Sequence, residues 1–263
     1  MGSHRFGITN LGSGSSGNAT VIHTPEGALL IDAGFSGKEL HARLELCGID
    51  PDSIRAILIT HEHGDHTKGC RIFADAHQIP CYTTAITCKS LTKLKRIGEK
   101  KIIFTAGVPF SVAGITVEPF SVPHDAADTV AFNFLHDGCK IYIATDLGTV
   151  NSLASTRMTD ADAVLLESNH DEKMLAASGR PLQTIRRIMS RHGHLSNTEA
   201  MRTLDTILTE KTRFLLFGHL SSECNSRDLV KEMAHERLDY LNRNDIAWQI
   251  AEQDSPAETF WII

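Results

Sequence analysis

The sequence predicts an α/β protein with a four-layer αββα sandwich: two β-sheets face to face, with helices outside. Three observations point there. The chain runs through two successive halves, each β-rich first and helical after, an alternation that builds packed layers. Its metal-binding residue types stand directly after apolar strand patterns, where α/β folds place their sites. Finally, 263 residues with 41% hydrophobic and 22% charged content are the balance of a globular chain that buries a sizeable core.

In chain order, 19–24 and 28–32 read as β-rich runs joined at Pro25-Glu26-Gly27, a hairpin signal. A helix is expected near 37–47, with Leu40, Leu44 and Cys47 at i, i+4 and i+7. The strand 56–60 runs straight into a histidine-rich loop. Helices follow near 68–77 and 86–97, each succeeded by a short strand. From Lys101 to Thr145 the chain turns β-rich again, with strands at 114–117 and 140–145. After a strand at 163–167 come helices near 172–178, 182–192, 197–210 and 226–243, punctuated by strands at 213–217, 246–251 and 259–262. No linker or low-complexity stretch interrupts the pattern. At roughly 150 residues per domain, residues 1–263 are expected to form one domain.

The opening glycines need separate treatment. Gly12-Ser13-Gly14-Ser15-Ser16-Gly17 matches GxGxxG, and Asp32 lies about 20 residues on, as a dinucleotide fingerprint requires. That fingerprint needs a helix opening at its last glycine, to hold pyrophosphate at the helix N-terminus. Here the glycines lead into Asn18-Ala19-Thr20-Val21-Ile22, a strand pattern. The segment reads instead as a turn between strands. Its bare N–H groups and the hydroxyls of Ser15 and Ser16 are available to an anionic substrate.

Composition excludes several classes. No apolar run approaches the roughly 18 residues of a membrane span, and Met1 to Arg5 lack the apolar stretch of a signal peptide. Six cysteines without a CxxC pair suit reduced thiols in the cytoplasm, which is the expected location. A net charge of −6 gives no global attraction for nucleic acid, so any such affinity needs a local basic face. Lys89, Lys93, Arg96 and Lys100 fall on one helical face if that helix lasts long enough. Such a stripe either tracks a phosphate backbone or is a solvated face. Arg180, Arg186, Arg187 and Arg191 form a second basic group near His194.

The strongest chemical signal is Thr60-His61-Glu62-His63-Gly64-Asp65-His66. Imidazole and carboxylate ligate zinc and other first-row divalent ions. His61, His63, Asp65 and His66 lie within six residues, so they converge only if the backbone curls tightly, which Gly64 permits. One loop cannot close a coordination sphere. Further donors follow other strand patterns: His124 in Pro123-His124-Asp125, Asp146 in Thr145-Asp146-Leu147-Gly148, and His219 in Phe217-Gly218-His219. Taken singly, Asp146 could be a helix N-cap, and the two histidines ordinary loop residues.

These residues resemble the metallo-β-lactamase superfamily over essentially the whole chain, from Gly14-Ser15-Ser16-Gly17-Asn18 to Gly218-His219. The resemblance implies two divalent ions. His61, His63 and His124 would hold one; Asp65, His66 and His219 would hold the other, with Asp146 bridging. Zinc is the first expectation, and manganese or iron(II) suits the same donors. Asp32 would brace the histidine loop without binding metal. The aspartate bridge, where true β-lactamases have a cysteine, points to phosphodiester or thioester hydrolysis. Glu167-Ser168-Asn169-His170-Asp171, Gly193-His194-Leu195-Ser196-Asn197 and 219–225 look like the YycJ (WalJ/VicX) group, regarded as DNA exonuclease-like phosphodiesterases. The layout is also similar to cyclic phosphodiesterases of the PhnP type. Neither group has the large inserted domain with which RNase J and CPSF-type nucleases clamp RNA, and none fits between Asp146 and His219.

The implied reaction is phosphodiester hydrolysis, expected to act as a 5′-directed DNA exonuclease. Two ions about 3.5–4 Å apart lower the pKa of a bridging water, and the hydroxide attacks phosphorus in line. Asp65 would take a proton from the nucleophile. His194 is either the acid that protonates the leaving group or a structural residue before a helix capped by Ser196 or Asn197. Asn169, His170 and Ser196 are candidate substrate contacts, with Lys89 and Lys93 if the substrate is DNA; Asn169 and His170 read equally well as braces behind the metal ligands. Rival expectations are a small-molecule hydrolase (cyclic phosphodiesterase, thioesterase or lactonase) and a non-enzymatic regulatory module. The sequence leaves the oligomeric state open.

Overall fold

In the computed structural model, which describes residues 6–262, the chain builds two seven-stranded sheets. The first half supplies β1 (Gly7–Gly12), β2 (Ala19–Thr24), β3 (Gly27–Ile31), α1 (Gly37–Leu46) and β4 (Ile54–Leu58). It continues through α2 (Gly64–Thr67), α3 (Cys70–His77), β5 (Cys81–Thr84), α4 (Ala85–Leu94) and β6 (Lys101–Phe104). The second half begins with β7 (Phe110–Val112), β8 (Ile115–Ser121), β9 (Val130–His136), β10 (Cys139–Ala144), α5 (Ser152–Met158) and β11 (Ala163–Glu167). There follow α6 (Glu172–Ala177), α7 (Leu182–Ile188), α8 (Asn197–Ile207), β12 (Phe214–Gly218), α9 (Arg227–Tyr240), β13 (Ala247–Ile250) and β14 (Phe260–Trp261). The signal-peptide reading of Met1 to Arg5 lies outside the described residues.

One sheet has the order β14-β1-β2-β3-β4-β5-β6, the other β13-β12-β11-β10-β9-β8-β7. Each half lays down antiparallel strands first and parallel ones after. Parallel pairing demands crossover connections, and the helices are those crossovers. Between the sheets, Ile22, Leu58, Phe132, Phe134, Leu165 and Phe214 form a common core. Leu40, Leu44, Phe73 and Leu91 cover the outer face of the first sheet. Met158, Leu204, Val230 and Leu238 cover that of the second. The four layers are those the sequence predicts.

The glycine-rich segment is a turn between strands, as expected: β1 precedes it and β2, not a helix, follows. Two local readings need correction. α5 is absent from the sequence reading because its seven residues carry too little periodicity. The basic helix also ends early. Lys95 takes left-handed backbone at φ 55°, so Arg96 and Lys100 leave α4 and the stripe is not one helical face.

The register places the site. Ala144 pairs with Leu166 and Glu167 with Gly218, so β10, β11 and β12 end level with one another. The residues that follow emerge along one edge. Asp32, Asp146 and His219, each just past a strand, turn through left-handed backbone at φ 59°, 56° and 57°.

Candidate metal centre

The histidine loop is held from behind by Asp32. Its Oδ1 accepts from the Thr60 N–H at 2.9 Å, and its Oδ2 from the Thr60 hydroxyl at 2.8 Å and His66 Nδ1 at 2.7 Å. The loop lies so close to residues 33–34 that a Cβ on Gly34 would sit 1.7 Å from the Asp65 carbonyl oxygen. Asn18 closes the other side, its backbone N–H donating to that carbonyl at 2.8 Å and its Nδ2 lying 3.1 Å from His66 Nε2. The single turn of α2 then carries Asp65 and His66 inward. Asp32 is a brace, as the resemblance implied.

Seven donors from four loops converge in front of this brace. Ligand atoms of His61, His63 and His124 lie within 4.8 Å of one another, as do those of Asp65, His66 and His219. Asp146 stands between the two triads. Its Oδ1 is 3.5 Å from His124 Nε2, and its Oδ2 is 2.8 Å from His66 Nε2 and 3.6 Å from His219 Nε2. The outer nitrogens are tied down. His124 Nδ1 donates to the Gly193 carbonyl at 2.9 Å, and His219 Nδ1 to Glu167 Oε1 at 2.7 Å. That arrangement fixes each ring with Nε2 inward, the usual support of a metal-ligating histidine. Nε2 of His61, His124 and His219 is buried with no hydrogen-bond partner among the described residues. Leaving several such groups unpaired in one place is costly, and cations satisfy all of them. The donor set fits two divalent ions.

Electrostatics agree. Burial alone would raise the Asp146 carboxyl, but the charges of His219 and His66 outweigh it and hold it well below the ordinary carboxylate range. Asp65 is lowered in the same way, the nearby His219 and His66 outweighing its burial. For His61 and His63, burial pushes the pKa down, and neighbouring histidines push it further. His66 and His219 go the other way: burial would lower them, but Asp146 and the neighbouring carboxylates outweigh it and raise both, His219 to about 10. Metal binding requires ionised carboxylates and neutral imidazoles, so ions here would displace the protons those two rings hold.

A cleft of about 220 Å³ opens over this cluster. Ser15, Asn169, His170 and His194 line it, together with Arg180 and Arg187. Asn169 Nδ2 donates to the His219 carbonyl at 2.8 Å. His170 is buried, with Nδ1 unpartnered among the described residues. Four other candidates lie apart. Ser16 does not line the cleft, and its N–H donates to Gln253 Oε1 at 2.7 Å. Ser196 caps α8 and donates to Glu172 Oε1 at 2.9 Å. Lys89 and Lys93 are exposed on α4, away from the cleft lining.

A family profile described as the beta-lactamase superfamily domain matches residues 28–219. The chain belongs to this superfamily. Membership makes it a metal-dependent hydrolase by fold. It is 34% identical over 243 residues to "Exodeoxyribonuclease YycJ" of Bacillus anthracis, covering 91% of this chain and 90% of that one. Among solved structures, the metallo-beta-lactamase fold protein YhfI from Bacillus subtilis superposes with a TM-score of 0.75 at 17% identity, covering 98% of this chain and all of that one. A diphosphatase of the PhnP family gives 0.66 at 15% identity, covering 98% of each chain. Both likenesses concern the fold.

Within this superfamily fold, one residue escaped the sequence reading. Glu167, fully buried at the end of β11, accepts from His194 Nδ1 at 2.8 Å as well as from His219 through the same oxygen. Burial pushes its carboxyl up, but His194 and His219 outweigh that and bring it down to about 2. Its signal was present: an acid closing the otherwise apolar run Ala163-Val164-Leu165-Leu166. It obeys the same rule that singled out Asp146 and His219. His194 stands closer to the ligands than expected, since its donor atom falls within 4.8 Å of those of Asp146, Glu167 and His219.

Proposed function

We propose that the chain is a dinuclear metal-dependent phosphodiesterase acting on DNA as a 5′-directed exonuclease. The observation that carries this reading is Asp146, whose two oxygens face different histidine triads. His61, His63 and His124 would hold one ion, Asp65, His66 and His219 the other, and Asp146 would touch both. Zinc suits this set, as do manganese and iron(II). When bound, such a pair supplies Lewis acidity and an activated water. Asp65, its carboxyl ionised, is placed to accept a proton at the nucleophile. His194, held by Glu167 at Nδ1 and lining the cleft, presents Nε2 as the proton donor to the leaving oxygen. Ser15, Asn169 and His170 contact the substrate.

The YycJ relative is named an exodeoxyribonuclease, which supports DNA as substrate. The chain reads as one unit without an inserted clamp domain, because α5, β11, α6, α7, α8 and β12 fill the stretch from Asp146 to His219. No described helix is long and apolar enough to cross a membrane. All six cysteines are free, in keeping with the reducing cytoplasm. The small cleft favours a second reading, a hydrolase of small phosphodiesters, since typical ligand pockets hold roughly 300–1,000 Å³.

The test is turnover of end-labelled DNA beside bis(p-nitrophenyl) phosphate, a lactone and a thioester, after reconstitution with each metal. DNA shortened from its 5′ end supports the exonuclease, whereas turnover of the lactone or thioester alone overturns it. Asp146→Ala should lose metal from both triads and abolish phosphodiester turnover. Full metal content and normal rates in that variant would sink the dinuclear assignment.

A further inference from the structure

Between β11 and α8 the chain runs out over the cleft, and its second helix there, α7, has no buried residue. Leu182 and Met189 are exposed on one side, while Thr184, Arg187 and Ile188 line the cleft on the other, with Arg180 just ahead of the helix. Apolar packing contributes little to holding this arm. The His194 N–H donates to the Ile188 carbonyl at 2.9 Å, and two ion pairs also tether it. Arg180 Nη2 donates to Glu223 Oε2 at 2.6 Å, and Arg187 Nε to Asp125 Oδ2. Both carboxylates stand at the rim, on loops that follow His219 and His124.

A guanidinium has five N–H donors in a rigid fork. Each of these arginines uses one on its carboxylate, and its remaining donors have no partner among the described residues. Their side chains are 31% and 59% exposed, so the free edges are hydrated and open to a ligand. Glu223 and Asp125 thus act as presets, fixing the orientation of each fork without filling it. Free edges of that kind suit the bidentate recognition of phosphate. α7 covers about 10 Å at 1.5 Å per residue, along which a strand presents about three phosphates at 3.4 Å per charge.

We propose that Arg180 and Arg187 hold the backbone phosphates of a DNA strand next to the scissile one, making the α7 arm the route by which an acidic protein engages a polyanion. The inference rests on the phosphodiesterase reading and adds the phosphate contacts that reading lacks. It also assigns the local basic face to the second arginine group and not to α4, whose stripe the early end of the helix breaks.

The experiment compares the zinc-reconstituted full chain with Arg180→Gln, Arg187→Gln and the double variant. Two readouts are used: hydrolysis of a DNA oligonucleotide against bis(p-nitrophenyl) phosphate, and oligonucleotide binding by fluorescence anisotropy across a salt series. The ratio of kcat/KM for DNA to that for the small diester should fall at least tenfold in the double variant. The log–log salt slope of binding should drop by about 0.7 to 0.9 for each arginine removed. Arg187→Lys should recover most of the slope and little of the ratio, because it restores the charge without the fork. An unchanged slope and ratio in the double variant overturn the proposal. So does a slope that falls in Lys89→Ala with Lys93→Ala instead, which would put the track on α4. Should hydrolysis fail for every substrate, the phosphodiesterase reading falls, and the anisotropy slopes still decide the arginines.

Discussion

A single carboxylate oxygen at Glu167 accepts from both His194 and His219, so one side chain sets the orientation of a proposed ligand and a proposed acid. Glu167→Gln keeps the shape and removes the charge. Supports of this kind typically carry a 10–100-fold effect on metal affinity or activity, and a loss of about that size is expected in both. The pH dependence has a definite sign. The folded-state value of about 2 lies below the ordinary 4.5, so the group stabilises the fold above pH 4.5. That contribution disappears as the pH falls toward 2. Thermal melts of the metal-free protein should therefore show a flatter acid limb in Glu167→Gln than in the parent. His194→Ala is read differently. If the ring protonates the leaving group, turnover should fall roughly 10² to 10⁴-fold on DNA and much less on p-nitrophenyl diesters, with the metals retained. Equal losses on both would make His194 a positioning residue.

Elements bring these side chains together through close backbone approaches more than through apolar packing. The loop after β10 and the loop before α8 meet at Gly148, where a Cβ would lie 2.5 Å from the carbonyl of Arg191 and the nitrogen of Gly193. Gly193 also accepts from His124. Gly148→Ala should push His124 and His194 away from Asp146 and lower turnover by roughly 10²-fold, the cost of about 1 Å of misplacement. Wild-type turnover in that variant would show that the two loops move independently. This scale also shows what was legible. Each proposed ligand loop begins where an apolar strand pattern meets a polar residue, a boundary the sequence displays directly. β1 was hidden because its polar Thr9 and Asn10 are buried and bonded within the sheet, Asn10 Nδ2 to Thr20 Oγ1 at 2.9 Å. The true end of α4 was hidden as well, since lysine at its C-cap carries no mark of left-handed backbone. Nor do rim pairs such as Arg180 with Glu223, 43 residues apart, leave any local signature.

For the molecule as a whole, the two sheets share one interior. Phe132 of β9 meets Phe104 of β6 edge to face at 5.8 Å between ring centres, a contact from one sheet to the other. Phe132→Ala should cost about 3–5 kcal/mol and lower the melting of both sheets together. The two tryptophans allow the check, because Trp248 lies on β13 of one sheet and Trp261 on β14 of the other. Single-tryptophan variants should report coincident transitions. Separate midpoints would show that the halves unfold independently.

The left-handed backbone at Asp32, Asp146 and His219 sets fold and chemistry against each other. Non-glycine residues held there carry strain of about 1 kcal/mol or more apiece. Glycine at such positions would relax the chain, yet it would leave the cluster without its brace, its shared aspartate or one of its imidazoles. Evolution toward rigidity alone would therefore erode this protein first at these three turns, while its core stayed intact. A thermostable descendant that has lost its reaction should carry the change there.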